Sequence, residues 1–231
     1  MARFRRFLLS ALSHRTLALV RWDLHLLRVR IRNALTGSDR KLMQRVSGIS
    51  RPRLLNLGSG PRGLDAPNWV NVDAFPDANV HHLMDFGRKF PFADGDFDGI
   101  FSEHVLEHFT REEGITVLSE CHRVLFPGGT LRVIVPDACK LFQSYFSDPD
   151  ALSERRETST SLPMEVVNLY AYQRYEHQCL YDWPLMQHTF ADAGFTDITL
   201  CSFRAGAHAA LTIDDPKYEW ESLYVEARRK N

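Results

Sequence analysis

The chain has 231 residues, enough for one domain with an extension, and its 44% hydrophobic content excludes a disordered chain. Residues 1–45 hold eleven Lys or Arg and two Asp, a net charge of +9, so the remainder carries −10 beneath an overall charge of −1. A basic N-terminal segment before an acidic remainder excludes a uniformly basic nucleic-acid binder. It predicts that the N-terminal segment lies near an anionic surface. The four cysteines form no C-x-x-C pair, so we expect free thiols.

Two helices are predicted first, over residues 4–36 and 40–46, because apolar and basic side chains recur there at helical spacing. The apolar stripe of the first helix consists of Val20, Leu24, Leu27, Ile31 and Leu35, and Arg21, His25, Arg28 and Arg32 form its basic stripe. A linker follows at residues 48–52. We therefore expect a basic amphipathic helical extension in residues 1–50 and a separate domain in residues 51–231.

The extension has three interpretations: a lid packed on the domain, a helix lying on an anionic membrane surface, or a nucleic-acid-binding arm. The acidic remainder argues against the third, so we expect no nucleic-acid partner and peripheral membrane contact through residues 1–45. No apolar run approaches the ~20 residues of a membrane-spanning helix. The N-terminal residues resemble the beginning of a signal peptide, but His14 and Arg15 interrupt the apolar run. We therefore expect a cytoplasmic protein, peripheral at the inner face of the membrane.

Strands and helices then alternate along the domain. Strands are predicted over residues 54–57, 69–72, 80–84, 99–102, 130–135, 196–201 and 223–227, and helices over residues 112–125, 162–175 and 183–193. Residues 127–129 are predicted to form a tight turn and residues 146–160 a loop. Apolar strands that alternate with helices predict an α/β fold, a Rossmann-like, doubly wound, mostly parallel seven-stranded sheet.

Chemically informative residues follow four of the predicted strands. Gly58, Asp73 and Asp85 come directly after the first three strands, and Ser102 and Glu103 end the fourth. Ligands of parallel α/β sheets bind beyond the carboxyl ends of the strands. The sequence therefore predicts one binding site built from these four strand ends.

The glycine-rich segment at residues 58–63 reads GSGPRG and matches G-x-G-x-x-G after a strand. Glycine lets the backbone approach a ligand closely, and Asp73, fifteen residues beyond Gly58, can accept hydrogen bonds from ribose hydroxyls of NAD or S-adenosylmethionine. Residues 61–68 are too short for a long helix and contain two prolines, whereas a dinucleotide pyrophosphate requires a helix N-terminus. The pattern favours S-adenosylmethionine and leaves a nicotinamide cofactor as the alternative.

Five ordered segments resemble class I S-adenosylmethionine-dependent methyltransferases of the type 11 kind, especially bacterial members found with surface-polysaccharide biosynthesis. They are LNLGSG at residues 55–60, VD at 72–73, FPFADGDFD at 90–98, SEHVLEH at 102–108 and RVLFPGGTL at 123–131. The resemblance implies S-adenosylmethionine as the cofactor. The cofactor-binding residues it implies are Asn56, Gly58, Ser59, Gly60, Asp73 for the ribose, Asp85 for the adenine, and Ser102 with Glu103 near the sulfonium.

The same resemblance implies methyl transfer, and we expect the acceptor to be a small molecule or glycolipid, with a sugar hydroxyl as the methylated group. An NAD(P)-dependent oxidoreductase and a non-catalytic S-adenosylmethionine-binding interaction module are the alternatives. The segment between Gly60 and the second strand departs from the family pattern, and Arg62 is a candidate for holding the cofactor's carboxylate.

Residues 104–108 read H-x-x-E-H, the inverted zinc-peptidase signature, whose histidines share one face if the segment is helical. The methyltransferase pattern already explains this segment, so we expect no metal and the start of a helix. A hydroxyl acceptor gains from a general base, and histidine has the unperturbed pKa closest to neutral pH. His104, after the fourth strand, and His177, before the sixth, are the candidate catalytic residues.

Overall fold

The computed structural model describes residues 13–154 and 162–230, which form two leading helices, a seven-stranded sheet and five further helices. The helices are α1 (His14–Thr36), α2 (Ser38–Gly48), α3 (Arg111–Val124), α4 (Ala138–Ser147), α5 (Pro149–Glu154), α6 (Pro163–Tyr172) and α7 (Trp183–Asp192). The strands are β1 (Leu54–Leu57), β2 (Trp69–Asp73), β3 (His82–Leu83), β4 (Phe97–Glu103), β5 (Leu125–Pro136), β6 (Asp197–Cys201) and β7 (Ser222–Arg228).

The sheet has the order β3-β2-β1-β4-β5-β7-β6. Strands β1 to β5 pair in parallel, and β7 runs antiparallel to both β5 and β6. The order reverses direction between β1 and β4, which is where α/β sheets bind ligands. The predicted Rossmann-like, mostly parallel seven-stranded sheet is therefore confirmed.

Three local predictions were wrong. The strand expected at residues 80–84 shortens to His82–Leu83. The tight turn expected at residues 127–129 lies inside β5, where the register against β4 is irregular and Gly128 adopts a φ of 82°. The predicted loop contains α5, which the Asp148 side chain caps and which buries Leu152 completely, while residues 155–160 lie outside the described part of the chain.

Successive side chains of each strand point to opposite faces of the sheet, and the two faces are covered differently. Leu55 and Leu57 of β1 face the main core beneath α2, α3 and α7, whereas Leu54 faces the opposite side. There Leu54 joins a smaller cluster that contains Leu211 of a 3₁₀ turn. The main core thus lies under helices, and the second face carries a thinner cover of turns and loops.

Arg132 of β5 points to this second face and is completely buried. Its Nε and Nη2 atoms donate to the two Asp214 carboxylate oxygens at 2.8 and 2.5 Å, and Nη1 donates to Glu226 at 3.0 Å. The remaining guanidinium hydrogens reach the carbonyl oxygens of Ala205 and Ser202, both at 3.1 Å. All five donors are thereby satisfied, which is the condition under which a buried charge is tolerated.

Helices α4, α5 and α6 form their own small core around Leu152, Val166 and Tyr170. The Tyr170 ring packs edge-on against Trp220, 5.5 Å between centroids, just before β7. Helix α4 begins directly after β5, and its Lys140 donates to the Ser222 carbonyl at 2.7 Å, which places this group at the carboxyl end of β5. Together they form a helical cap beside the predicted ligand site.

The amphipathic extension is part of this architecture. Leu42 and Val46 of α2 are buried in the main core, and Asn33 of α1 donates to the Leu83 carbonyl at 2.8 Å. The apolar stripe that the sequence identified on α1 faces outward, with Ile31 50% and Leu35 83% exposed. None of the helices in residues 13–154 and 162–230 is long and apolar enough to cross a bilayer.

The different placement of two leucines in this extension gives a stability prediction. Leu42→Ala should lower the free energy of unfolding by about 2–5 kcal/mol, because it leaves a cavity in the main core. Leu35→Ala, at a mostly exposed position, should stay within about 0.5 kcal/mol of the wild type. Urea unfolding curves of the two variants measure this, and equal stabilities would show that α2 is not part of the core.

Candidate active site

The strand register brings the predicted site residues to one edge of the sheet. Leu57 of β1 pairs with Val72 of β2 and with Ser102 of β4. The residues that follow these three are Gly58, Asp73 and Glu103, so they stand side by side at the carboxyl edge. Apolar pairing of three parallel strands therefore places the glycine turn next to two carboxylates.

The glycine turn needs its glycines for two different reasons. Gly58 has a φ of 77°, and a Cβ atom there would overlap a methyl group of Val105. Gly60 has a φ of 47°, but a Cβ atom on it would meet nothing within 4 Å. Gly58 is thus required by packing, whereas Gly60 faces open space that a ligand can approach.

Asp73 is already fixed by the backbone around it. Its Oδ2 accepts from the Gly60 amide and its Oδ1 from the Phe75 amide, both at 2.8 Å. An ionised carboxylate has about four acceptor positions, so each oxygen keeps capacity for one further donor. This geometry suits recognition of two neighbouring hydroxyl groups.

The remaining predicted cofactor-binding residues divide into two groups. Asn56, Ser59 and Ser102 are buried beside the turn, and the Ser59 hydroxyl has no hydrogen-bond partner among the residues described. Asp85 is drawn toward α1, since its Oδ1 accepts from the Gly87 amide at 3.1 Å and its Oδ2 lies 3.5 Å from Arg30. Asp85 is therefore hydrogen-bonded within its own turn, and its role toward the cofactor stays a prediction.

Glu103 lies at the centre of an ionic group that crosses the site. Arg62 donates to its Oε2, and the Asp215 amide donates to its Oε1 at 2.9 Å. Burial raises the pKa of Glu103 even though these donors and the Arg62 charge oppose the shift. Arg62 also lies 3.2 Å from the Asp215 carboxylate, so its charge is already neutralised by two acids.

His104 occupies a strained position at the end of β4. Its φ of 54° is in the left-handed region, which non-glycine residues adopt at a cost and mostly at functional sites. Its Nδ1 lies 3.0 Å from Glu107 Oε1, and its Nε2 lies 3.3 Å from the Ser222 hydroxyl. Because the ionised Glu107 can only accept, Nδ1 carries the proton and Nε2 presents a lone pair. The Tyr218 ring packs on the imidazole at 4.2 Å between centroids.

The surroundings make His104 a stronger base than a free histidine side chain. Burial lowers the pKa of His104, but the Glu107 hydrogen bond and charge outweigh it and raise the pKa overall. Burial raises the pKa of Glu107, and the His104 hydrogen bond together with the charges of His104, His108 and His177 lowers it. The dyad is thus a carboxylate that orients an imidazole.

The segment around the H-x-x-E-H motif does not begin an α-helix. Residues Leu106–His108 form one 3₁₀ turn, and α3 begins only at Arg111 after the Thr110 cap. His104 and His108 therefore do not share a helix face, and the predicted helix start was wrong. The positive φ of His104 is the reason, because it turns the chain away from a helical path.

The two candidate catalytic histidines do not converge. His177 is buried, its Nδ1 lies 2.6 Å from the Tyr170 carbonyl, and its ring packs edge-on against His108 at 5.0 Å. Burial lowers the pKa of His177, although the Glu107 charge opposes this. His104 instead contacts Ser222 and Tyr218, so Glu107 has one histidine hydrogen-bonded to it and two others beside it.

Sequence reasoning missed the contribution of residues 213–222. Asp215, Tyr218 and Ser222 reach Glu103 or His104 from the segment that precedes β7. The only signal was a cluster of acidic and aromatic residues before the last predicted strand, which carries no motif. Their place in the site follows from the insertion of β7 next to β5.

Comparison with known proteins agrees with this geometry. Residues 70–133, just over a quarter of the chain, match a family described as "Methyltransferase domain". The match covers β2 to the middle of β5, including Asp73, Glu103 and His104. The predicted enzyme class is confirmed, and the predicted cofactor agrees with it.

Among solved structures, a SAM-dependent methyltransferase of Archaeoglobus fulgidus is 13% identical, with a TM-score of 0.49 over 82% of this chain and 92% of that one. A SAM-dependent methyltransferase of Thermotoga maritima is 15% identical, with a TM-score of 0.48 over 93% and 96%. The Haemonchus contortus phosphoethanolamine N-methyltransferase 2 in complex with S-adenosyl-L-methionine is 15% identical, with a TM-score of 0.48 over 84% of this chain and 53% of that one. A search of curated proteins found no match.

The two glycines of the turn should respond differently to the same substitution. Both Gly58→Ala and Gly60→Ala should cost about 1–2 kcal/mol of stability for the left-handed backbone. Gly58→Ala should cost about 1–3 kcal/mol more, because its methyl group overlaps Val105 in a packed interior. Thermal unfolding of both variants measures the difference, and equal melting temperatures would contradict the packing assigned to Gly58.

Proposed function

We propose that the protein transfers a methyl group from S-adenosylmethionine to a hydroxyl of a sugar or glycolipid precursor. The observation that carries this proposal is His104, a strained residue at the end of β4 whose Nδ1 is held by the buried Glu107. Its side chain is 18% exposed, which leaves it accessible from the site. The methyltransferase-domain match supports the class of reaction.

The cofactor half of the site fits S-adenosylmethionine better than a dinucleotide. Open space above Gly60, the unpartnered Ser59 hydroxyl and the spare acceptor positions of Asp73 suit an amino-acid and ribose ligand. The turn after Gly58 is a single 3₁₀ turn, Gly60–Arg62, which offers no aligned helix N-terminus for a pyrophosphate. These features argue against the nicotinamide alternative.

The acceptor half requires a group that takes a proton. Bound S-adenosylmethionine supplies an already activated methyl group, so alignment accounts for much of the rate. A hydroxyl acceptor loses its proton as the oxygen is methylated, and His104 Nε2 can accept that proton. Glu107 fixes the imidazole orientation and stabilises the imidazolium that forms. The adjacent cap and Tyr218 provide surfaces on which a sugar ring can lie.

Two substitutions should separate cofactor binding from catalysis. Asp73→Ala should weaken S-adenosylmethionine binding by about 1.5–3 kcal/mol for each charge-assisted hydrogen bond lost. His104→Ala should leave that affinity within about twofold and lower turnover by ~100-fold or more. Calorimetry measures the first effect, and transfer of labelled methyl groups to sugar and glycolipid acceptors measures the second. The exposed His188 of α7 serves as a control, and His188→Ala should change neither quantity.

Several results would contradict the proposal. Unchanged calorimetric affinity in folded Asp73→Ala would remove this carboxylate from the cofactor site. Near wild-type turnover in His104→Ala would remove the general base. Preferential binding of NADH over S-adenosylmethionine would favour the oxidoreductase alternative.

We further propose that α1 lies on an anionic membrane at its cytoplasmic face and brings the site to a lipid-linked acceptor. The helix packs on the domain through Trp22 and His25, whose rings contact Phe75, two residues beyond Asp73. The outward side carries the apolar stripe, and Arg21, Arg28 and Arg32 are exposed beside it. An apolar stripe flanked by arginines suits lipid head groups of opposite charge.

Vesicle binding tests this orientation. The full chain should sediment with phosphatidylserine-containing vesicles, and less so at high salt, because ionic attraction is screened. The double variant Leu24→Asp and Leu27→Asp should bind at least 10-fold more weakly, since each leucine contributes about 1.5–3 kcal/mol when buried. Leu200→Asp, at an exposed leucine on β6, should bind like the wild type. Equal binding by all three proteins, or none by the wild type, would refute the membrane orientation.

A further inference from the structure

We propose that Glu107, His108 and His177 together bind one divalent transition-metal ion, with Zn²⁺ as the first candidate. One ligand atom from each of the three side chains lies within 4.8 Å of the other two. Ligand atoms at metal–ligand distances of about 2.0–2.2 Å lie about 3.3–3.6 Å apart in a tetrahedral site, so the three side chains need to close in on the ion when it binds. His104, which is hydrogen-bonded to Glu107 Oε1, is not one of the three.

The tautomers of both histidines suit metal binding. His108 Nδ1 lies 3.2 Å from the Glu176 carbonyl oxygen, and His177 Nδ1 lies 2.6 Å from the Tyr170 carbonyl oxygen. A carbonyl oxygen can only accept, so both Nδ1 atoms carry protons and donate. Each Nε2 is left with its lone pair. Histidine ligands of metals show this arrangement, with the other ring N–H held by a backbone carbonyl or a carboxylate.

The Glu107 carboxylate provides independent support. Its side chain is only 1% exposed, and Oε1 is engaged by His104. Its Oε2 has no hydrogen-bond partner within the described residues. A buried carboxylate oxygen without a partner is costly, and a cation beside it removes that cost. A single cation can satisfy Glu107 Oε2 and the Nε2 lone pairs of both histidines.

The backbone also holds the three residues together before any ion arrives. The amides of Gln178 and Cys179 both donate to the Glu107 carbonyl, at 2.8 and 3.2 Å. This pins the segment after His177 to the turn that contains His108, so the ligands are preorganised. His108 is only partly buried, which leaves the ion open to water or another ligand on that side.

The ligand set defines the class of metal. Two imidazoles and one carboxylate are typical of zinc sites with an open fourth position and of other first-row divalent ions. The hard ions Mg²⁺ and Ca²⁺ prefer oxygen ligands and fit poorly. The histidine-rich motif seen in the sequence therefore contributes Glu107 and His108 to a metal site, with His177 as the third ligand and His104 excluded. The proposal departs from the expectation that the chain holds no metal.

The test uses the full chain after removal of metals with a chelator. Calorimetry with Zn²⁺ should give one ion per chain, and His177→Ala and His108→Ala should each weaken binding at least 10-fold. Co²⁺ should bind with visible absorption bands of low coordination number, and both variants should lose them. The control is His188→Ala, which removes an exposed histidine of α7 and should retain wild-type Zn²⁺ affinity and Co²⁺ spectrum.

Three outcomes would overturn the proposal: no stoichiometric Zn²⁺ binding, an affinity unchanged in both variants, or equal loss in the control. Circular dichroism confirms that each variant is folded, and His108→Ala provides the test if the buried His177 variant fails to fold. The readout is metal binding without methyl transfer, so its failure is distinguishable from failure of the proposed function.

Discussion

The buried carboxylate of Glu107 is the interaction on which the organisation of the acceptor side depends. A fully buried charge costs several kcal/mol unless it is paired and hydrogen-bonded. His104 hydrogen-bonds one oxygen, and His108 and His177 lie beside the same carboxylate. Its backbone carbonyl meanwhile anchors the segment after His177. Removal of the Glu107 side chain would therefore release His104 at the end of β4, while the backbone carbonyl would still hold the segment after His177.

On the side of the glycine turn, backbone geometry rather than a buried charge positions the residues. Parallel register sets Gly58, Asp73 and Glu103 side by side, and the Gly60 amide orients the Asp73 carboxylate. Helix α1 then packs on Phe75, so the amphipathic extension contacts the chain two residues beyond Asp73. A lid and a membrane-facing helix, which the sequence presented as alternatives, are compatible in this arrangement because they use opposite faces of α1.

Much of the fold was predictable from short apolar segments followed by glycine or aspartate. The apolar segment indicates a buried strand, and the glycine or aspartate marks its end. The strand at residues 54–57 and the carboxylate of Asp73 were placed correctly for this reason. Helix α5 was missed because it buries mainly Leu152, too little to create a periodic pattern. In the site, Arg62 was expected near a ligand carboxylate but is paired with Glu103 and Asp215. Contacts from residues 213–222 depend on tertiary topology, which no local spacing encodes.

The position of β7 has a consequence for how the chain folds. It pairs with β5 on one side and β6 on the other, and within the described residues β6 has no sheet partner except β7. The register joins Thr130 to Arg228, so this pairing closes a very long loop. Contacts of such sequence separation form late, since chain entropy is lost before they are gained. The β1–β5 sheet can therefore assemble first, and β6 can dock only as β7 inserts. Completion of the His104 environment, through Ser222 at the start of β7, therefore requires β7 to pair with β5.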